Sequence, residues 1–446
     1  MSKIKCNLIG SLALVLMATL LNAPSLLANP SFTRQTGLAC NVCHTTAPEL
    51  TEFGRMFKLN GYTMTGLKQV SVPPGKHEAG LSLNAAIPLG FMLTIADTAM
   101  VKTAPGTQNG TVELPQQLSL FFADAVTPHM GAFAQITYTQ TDDHLSIDNV
   151  DIRYARQGTL GGKPLVWGLD VNNNPTVEDL WNSVPAWSFP FHGPDAAASP
   201  ITAPLITGLG QDVAGLGAYA MWNAEWYGDF SVYRSAHTGG AVPLDGNGFG
   251  INILGAAPYW RVAWNHSAGS TNVEIGSYGI YVRSVPNAVT GISDTYLDPA
   301  ADFQVQQALG ADSISLHGTY IHERDQLRNE FDAGNLTFAQ HNVSEARADA
   351  IYHWGNRFTL AGAYFNYFGT SDALLYPAAD YSGSVNGSPD SDGYIIQGSV
   401  WPRENVEMLL QYTGYLKFNG SSHNYDGSGR NASDNNTVYT GLNLYF

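Results

Sequence analysis

Charge is scarce in this chain. Asp, Glu, Lys and Arg make up 13% of its 446 residues, about half the share usual for a soluble domain. Long apolar runs are absent after Leu21, which excludes any later membrane-spanning helix and leaves strands as the only means of crossing a bilayer. Cysteine is rarer still, with only Cys6, Cys40 and Cys43. No second Cys pair exists to complete a four-ligand zinc site, and no βαβ context surrounds Cys40 to suggest a thioredoxin-like dithiol. Basic residues number 21 against 37 acidic ones, which argues against a nucleic-acid partner. No nucleophile-base constellation and no phosphate loop stands out, so hydrolase and kinase chemistry are set aside.

What is present begins with Cys40-Asn41-Val42-Cys43-His44, the attachment sequence for a c-type haem. Its two thiols are spaced to form thioethers, and the adjoining His44 supplies one axial nitrogen to iron. The expected cofactor is one covalently attached haem c on Cys40, Cys43 and His44, and the chemistry is electron transfer. Residues 1–28 carry Lys3 and Lys5, an apolar stretch from Leu8 to Leu21 and small residues at Ala23, Ser25 and Ala28. They read as a secretory signal peptide cut after Ala28, in keeping with haem attachment outside the cytoplasm.

The C-terminus predicts a barrel. Val438, Thr440, Leu442, Leu444 and Phe446 fall on one face, and Tyr439, Gly441, Asn443 and Tyr445 on the other. Such a strand is apolar toward lipid and polar toward a lumen. Sixteen alternating segments recur from 80–95 to 436–446, among them Ala132, Ala134, Ile136 and Tyr138 facing lipid, with Gln135, Thr137 and Thr139 facing inward. Val150, Ile152 and Tyr154 likewise oppose Asn149, Asp151 and Arg153. Short and long connections alternate, as outer-membrane barrels require. The longest connection, 173–212, is too long for an idle loop and carries Glu178, Asp179, Trp181, Trp187, Phe189, Phe191 and His192; it either folds inward to narrow the pore or caps the outside. The aromatics, 11% of the chain, and its 46 glycines suit aromatic girdles and tight turns.

The fold expected is therefore all-β: an outer-membrane antiparallel β-barrel of about 16 strands, with a small N-terminal α-helical c-type haem segment plugging or lining the lumen. The domains are a signal peptide at 1–28, a monohaem cytochrome c segment at 29–70, a linker at 71–80 and a porin-like barrel at 81–446. Without Lys3 and Lys5, 19 basic residues face 37 acidic ones, a net charge of −18. Arg34, Arg55, Lys58 and Lys68 against Glu49 and Glu52 give the segment +2, so a slightly basic plug is expected inside an acidic barrel. Phe53 and Phe57 lie four apart, placing both rings on one helical face to cover the porphyrin. Arg34, Arg55 and Lys58 either pair with haem propionates or anchor the plug to wall carboxylates such as Asp151. For the sixth iron ligand Met64 and Met56 are nearest, with His77 or a wall histidine such as His144 as alternatives. Asp142, Asp143, His144 and Asp148 offer hard donors suited to ferrous iron, or form an ordinary charged loop.

Phe32-Thr33-Arg34-Gln35-Thr36-Gly37 before the haem motif, and Pro48, Leu50, Phe53-Gly54-Arg55, Phe57-Lys58 and Gly61-Tyr62 after it, closely resemble the N-terminal segment of the fused cytochrome-porin family. That family comprises outer-membrane monohaem cytochromes, iron oxidases among them. Thr33 departs from the Ala usual there. The resemblance implies an outer-membrane cytochrome passing electrons from an extracellular donor, Fe(II) or another reduced donor, to a periplasmic cytochrome c or cupredoxin. The alternative function is a solute-selective porin with a structural or sensory haem plug.

Overall fold

The computed structural model describes residues 31–64, 88–141, 143–236, 251–285 and 292–446. The expected signal peptide, the linker, His77 and Asp142 lie outside the described residues. Three short helices come first: α1 (Ser31–Thr36), α2 (Cys40–Cys43) and α3 (Glu52–Leu59). Sixteen strands follow: β1 (Leu89–Met100), β2 (Thr111–Thr127), β3 (Met130–Thr139), β4 (His144–Leu160), β5 (Lys163–Asn172), β6 (Val213–Trp222), β7 (Trp226–Ser235) and β8 (Ala257–Ala268) form the first half. The second half is β9 (Thr271–Ser284), β10 (Asp294–Leu309), β11 (Asp312–Gln326), β12 (Gln340–Trp354), β13 (Phe358–Gly369), β14 (Ser391–Arg403), β15 (Val406–Lys417) and β16 (Thr437–Tyr445). Each strand is antiparallel to its neighbours, and β1 closes on β16 from Met92↔Tyr445 to Met100↔Thr437. Closure leaves no sheet edge unpaired, the condition for strands in lipid.

The strand count matches the period-two reading, and the two strands that depart most from it are β10, expected at 300–309 and beginning already at Asp294, and β1. The sequence placed it at 80–95; it runs to Met100 because Thr94, Ala96, Thr98 and Met100 continue the buried alternation past the polar Asp97. Side-chain direction follows the same alternation. Asp151, Arg153, Tyr439 and Asn443 are buried on the lumen side, while Ile152 and Val438 stand exposed on the outer face. Outward Val262, Ile275, Leu360, Ile396 and Leu410 form an apolar exterior, and Trp222, Trp226, Trp354 and Phe358 ring the end with short turns. An apolar band bordered by aromatics is the outer surface of a membrane-spanning barrel.

The two ends differ. All the two- and three-residue turns, together with the start of β1 and the end of β16, lie at one end; the connections of nine residues or more join strands at the other, with the four-residue β3–β4 turn. The β4–β5 turn has Gly161 and Gly162 at φ +61° and +77°. Two consecutive left-handed residues make a turn whose twist matches the flanking strands, and glycine reaches that region without strain.

The lumen is filled from two sources. Residues 31–64 enter it as a plug, touching β2 through Ser31 and Gln35, β4 through Tyr62, β6 through Leu59 and β10 through Arg55. The connection 173–212 folds inward to meet them, the first of its two expected courses. Its Phe189, His192 and Gly193 carbonyls accept from Arg347, Gln411 and Gln116 on three separate strands, at 3.1, 2.9 and 2.9 Å.

Candidate cofactor site

The haem motif is held by its own local fold. Thr51 caps α3 by accepting from the Gly54 N–H at 3.2 Å, and its hydroxyl donates to the Val42 carbonyl at 2.6 Å. The Thr51 N–H donates to the Cys43 carbonyl at 2.9 Å, and His44 bridges to Leu50. Helices α2 and α3 thus form one unit with Pro48 in the loop between them. They approach so closely that a Cβ on Gly54 would lie 2.2 Å from the Cys43 carbonyl oxygen. Gly54 is required by this contact, which explains the small residue inside an otherwise good helix.

Cys40, Cys43 and His44 line a cavity of about 700 Å³ inside the lumen, within the range of sites that enclose small molecules and cofactors. Its walls are mainly apolar and aromatic: Phe53 and Phe57 from α3, Phe121 and Phe133 from the barrel, Trp187 and Phe191 from the inward loop. The lining runs from Trp401 and Asn405 at the turn end to Asn149 and Gln211 below the long loops. Phe53 and Phe57 do share the face toward this cavity, as their spacing predicted.

The residues fit a c-type haem. Both thiols are free of any disulfide. The His44 Nδ1 lies 3.2 Å from the Glu49 carbonyl oxygen, so a proton there leaves Nε2 with its lone pair, the tautomer a metal-bound histidine takes. Burial pushes the His44 imidazole below its ordinary value, favouring the neutral ring. Cys43 is pushed up to about 11 by burial and then by neighbouring Cys40, so the unmodified thiol stays protonated.

Glu49 ties this unit to the wall. Fully buried, its carboxylate accepts from Gln306 Nε2 at 2.8 Å and faces His317 Nε2 at 3.5 Å and His353 Nε2 at 3.7 Å. His317 turns its other nitrogen to Asp349 at 2.7 Å. Burial alone raises a carboxyl, yet the hydrogen bonds and charges of His317 and His353 hold Glu49 well below the usual carboxylate range. One charged anchor of the plug is therefore an acid against wall histidines, beside the basic Arg55 and Lys58, which feel the carboxylates of Asp179, Glu274 and Asp151. The basic residues are occupied elsewhere. Arg55 donates to Leu50 and Gln306, Lys58 to the Asp179 carbonyl and Asn182, and Arg34 to the Leu89 carbonyl. Burial and nearby Arg153 push Lys58 down to about 8. Asp151 takes the Tyr62 hydroxyl at 2.5 Å and Arg153 at 2.8 Å rather than a plug cation.

The axial-ligand candidates separate. Met56 lines a different pocket, beside Trp181 and His266. Met64 is half-buried beyond α3 and, like the exposed His144, does not line the haem-motif cavity. The histidines that share it with His44 are His192 from the inward loop and His353 from β12. Nothing in the spacing of the sequence marks them, because they reach the cavity through a loop and a distant strand. Trp187 joins its wall while Trp181 packs under Arg261, 5.6 Å from the guanidinium. Asp143 accepts from Tyr138 at 2.8 Å and Asp148 from Ser146 at 3.1 Å, the partners of an ordinary polar turn.

No family model and no curated protein matches this sequence. Among solved structures the chain is similar to OmpF of Salmonella typhi in complex with daunomycin, at 11% identity and a TM-score of 0.46, over 81% of this chain and 98% of that one. It is similar also to the outer membrane channel DcaP of Acinetobacter baumannii, at 10% identity and TM-score 0.46, covering 80% and 96%. The anion-selective porin of Comamonas acidovorans gives 9% and 0.45, covering 80% and 98%. The barrel assignment rests on the strand pairing itself.

Proposed function

We propose that the chain is an outer-membrane c-type cytochrome built inside a barrel, carrying electrons from an extracellular donor, Fe(II) by the resemblance of its N-terminal segment, to a periplasmic cytochrome c or cupredoxin. The observation that carries this reading is the convergence of Cys40, Cys43 and His44 on one aromatic-walled cavity within the lumen. A haem held by those three residues would supply one-electron chemistry. The chain's own part is to fix the His44 tautomer through Glu49, to exclude water with Phe53, Phe57 and Trp187, and to hold the site between the two faces of the barrel. The apolar exterior and its aromatic border support placement in the outer membrane, with the turn end facing the periplasm.

The test is spectroscopic. Protein expressed with a haem-maturation system is purified in detergent, oxidised, and mixed with Fe(II) without oxygen. Covalent haem that survives denaturing electrophoresis in the wild type and is lost in the Cys40→Ala, Cys43→Ala double variant supports the site. Fast, saturable appearance of the reduced α-band supports Fe(II) as donor. A haem reduced by dithionite but not by Fe(II) leaves the cytochrome and removes iron from the proposal.

The barrel architecture favours a second reading, a solute-selective porin whose haem segment is a structural or sensory plug. Sixteen-stranded barrels of this build leave a lumen wide enough for solutes, and the cavity lining extends toward both ends. Channel conductance in planar bilayers that persists in the double Cys variant would establish it.

A further inference from the structure

Away from the haem-motif cavity, three carboxylates converge on the lumen side of the wall. Asp170 comes from β5, Asp229 from β7 and Glu178 from the end of the 3-10 turn Pro175–Glu178 in the inward loop. One oxygen from each lies within 4.8 Å of the others, and their exposures are 1%, 6% and 0%. The register explains the convergence. Gly217 of β6 pairs with Asp170 on one side and Ser231 on the other, and a Cβ there would lie 2.3 Å from Asp170 Oδ1 and 2.0 Å from Ser231 Oγ. With no side chain at Gly217, the two flanking acids lean together over the strand between them.

Neighbouring donors satisfy only part of this cluster. Arg153 Nη2 donates to Glu178 Oε2 at 3.0 Å, Asn172 donates to Glu178 Oε1, and Ser231 donates to Asp229 Oδ1 at 3.0 Å. Arg153 is shared with Asp151. Asp170 touches the carboxyl of Glu178 but takes no N–H or hydroxyl donor on either oxygen, and Oδ2 of Asp229 is likewise buried without a donor. Unpaired buried carboxylates cost several kcal/mol each. Oxygens facing oxygens at this spacing call for a positive species between them.

We propose that Asp170, Asp229 and Glu178 bind a hard divalent cation, of the Ca²⁺ or Mn²⁺ class, that clamps the inward loop to β5 and β7. The donor set is all oxygen and anionic, the chemistry such ions select. The site depends on no cofactor in the other cavity.

Mn²⁺ is the probe. Full-length protein is folded with and without Mn²⁺, passed through chelator, and read by electron paramagnetic resonance and elemental analysis. The expected result is about one Mn²⁺ per chain that resists brief chelation because the site is buried, with a raised thermal midpoint. Asp170→Asn and Asp229→Asn are each expected to weaken binding by at least about tenfold, since losing even an outer partner costs about 10–100-fold. Gly217→Ala, which fills the space between the acids, is expected to do the same without removing a charge. Wild-type protein that keeps no Mn²⁺, or releases it at once to chelator, would overturn the proposal and leave shared protons as what holds the carboxylates together. Equal Mn²⁺ content in wild type and both Asn variants would overturn it too, by placing the ion on loop carboxylates elsewhere.

Discussion

Two inserts share the lumen, and they are held by different physics. The plug, residues 31–64, docks chiefly through aromatic packing and through hydrogen bonds in which Arg55 and Lys58 donate to carbonyl and amide oxygens rather than to carboxylates. Phe32 packs on Phe57 at 4.9 Å and on Tyr62 at 5.5 Å, and Tyr62 continues to Phe133 of the wall at 6.5 Å. Its single buried carboxylate anchor is Glu49. The inward loop, 173–212, is instead tied by buried charge. Asp179 meets Arg261 at 2.8 Å, an arginine that also serves Asp302 and Glu274, and Glu178 meets Arg153. The loop is joined to strands at both ends, which lowers the entropy lost on ordering it. Its Glu178 and Asp179 sit in ion pairs with Arg153 and Arg261, whereas the plug's buried Arg55 and Lys58 meet carbonyls and amides and its Glu49 faces the wall histidines.

The sharpest way to break this contrast is at Arg261. Arg261→Ala strands three buried carboxylates and is expected to cost roughly 3–5 kcal/mol, read as a lower midpoint for the heat-induced loss of folded-barrel mobility on gels. A loss under about 1 kcal/mol would mean that water reaches those charges and the loop is not ion-clamped.

Glu49→Ala is expected to cost about 3 kcal/mol, confined to the plug: residues 31–64 become protease-sensitive while the barrel midpoint holds. The same residue sets an acid limit. Its carboxyl is depressed in the fold, so its contribution is present above the unfolded value of about 4.3 and is lost as pH falls through the lower folded value. Plug release on acidification should therefore come well below pH 4.5. Release already between pH 5 and 6 would show that histidine protonation, not Glu49, governs docking.

Gly54→Val places side-chain atoms against the Cys43 carbonyl and is expected to cost about 1–3 kcal/mol, with less covalent haem recovered per barrel on a stained denaturing gel. Unchanged haem yield would mean that α2 and α3 separate freely. The smallest effect belongs to Tyr62→Phe, which removes the bond to Asp151 but keeps the ring stack. A loss of about 1–2 kcal/mol is expected in plug protection against protease, and none in barrel stability.

The barrel wall was legible in the sequence because its determinant is local. A period of two in hydrophobicity states, residue by residue, which side meets lipid and which meets the lumen; Val438 to Phe446 and Asn149 to Tyr154 carried that message on their own. The haem motif was equally plain, since Cys40, Cys43 and His44 sit within five residues. Helix α3 could be drawn from Pro48 and the Phe53–Phe57 spacing. The inside of the barrel could not. Glu49 meets His317 and His353 only when the plug enters the lumen beside β11 and β12, and Asp170 meets Asp229 only through the register of β5, β6 and β7; no spacing along the chain encodes those distances. His192 reaches the motif cavity because a forty-residue connection turns inward, guided by carbonyls bonding to Gln116, Arg347 and Gln411 on three strands. The sequence by itself determined the wall and its sidedness and laid out the Cys40–Cys43–His44 motif, all set by neighbours in the chain. Tertiary structure alone decided which charges face one another in the lumen, because closure, not sequence separation, chooses partners there.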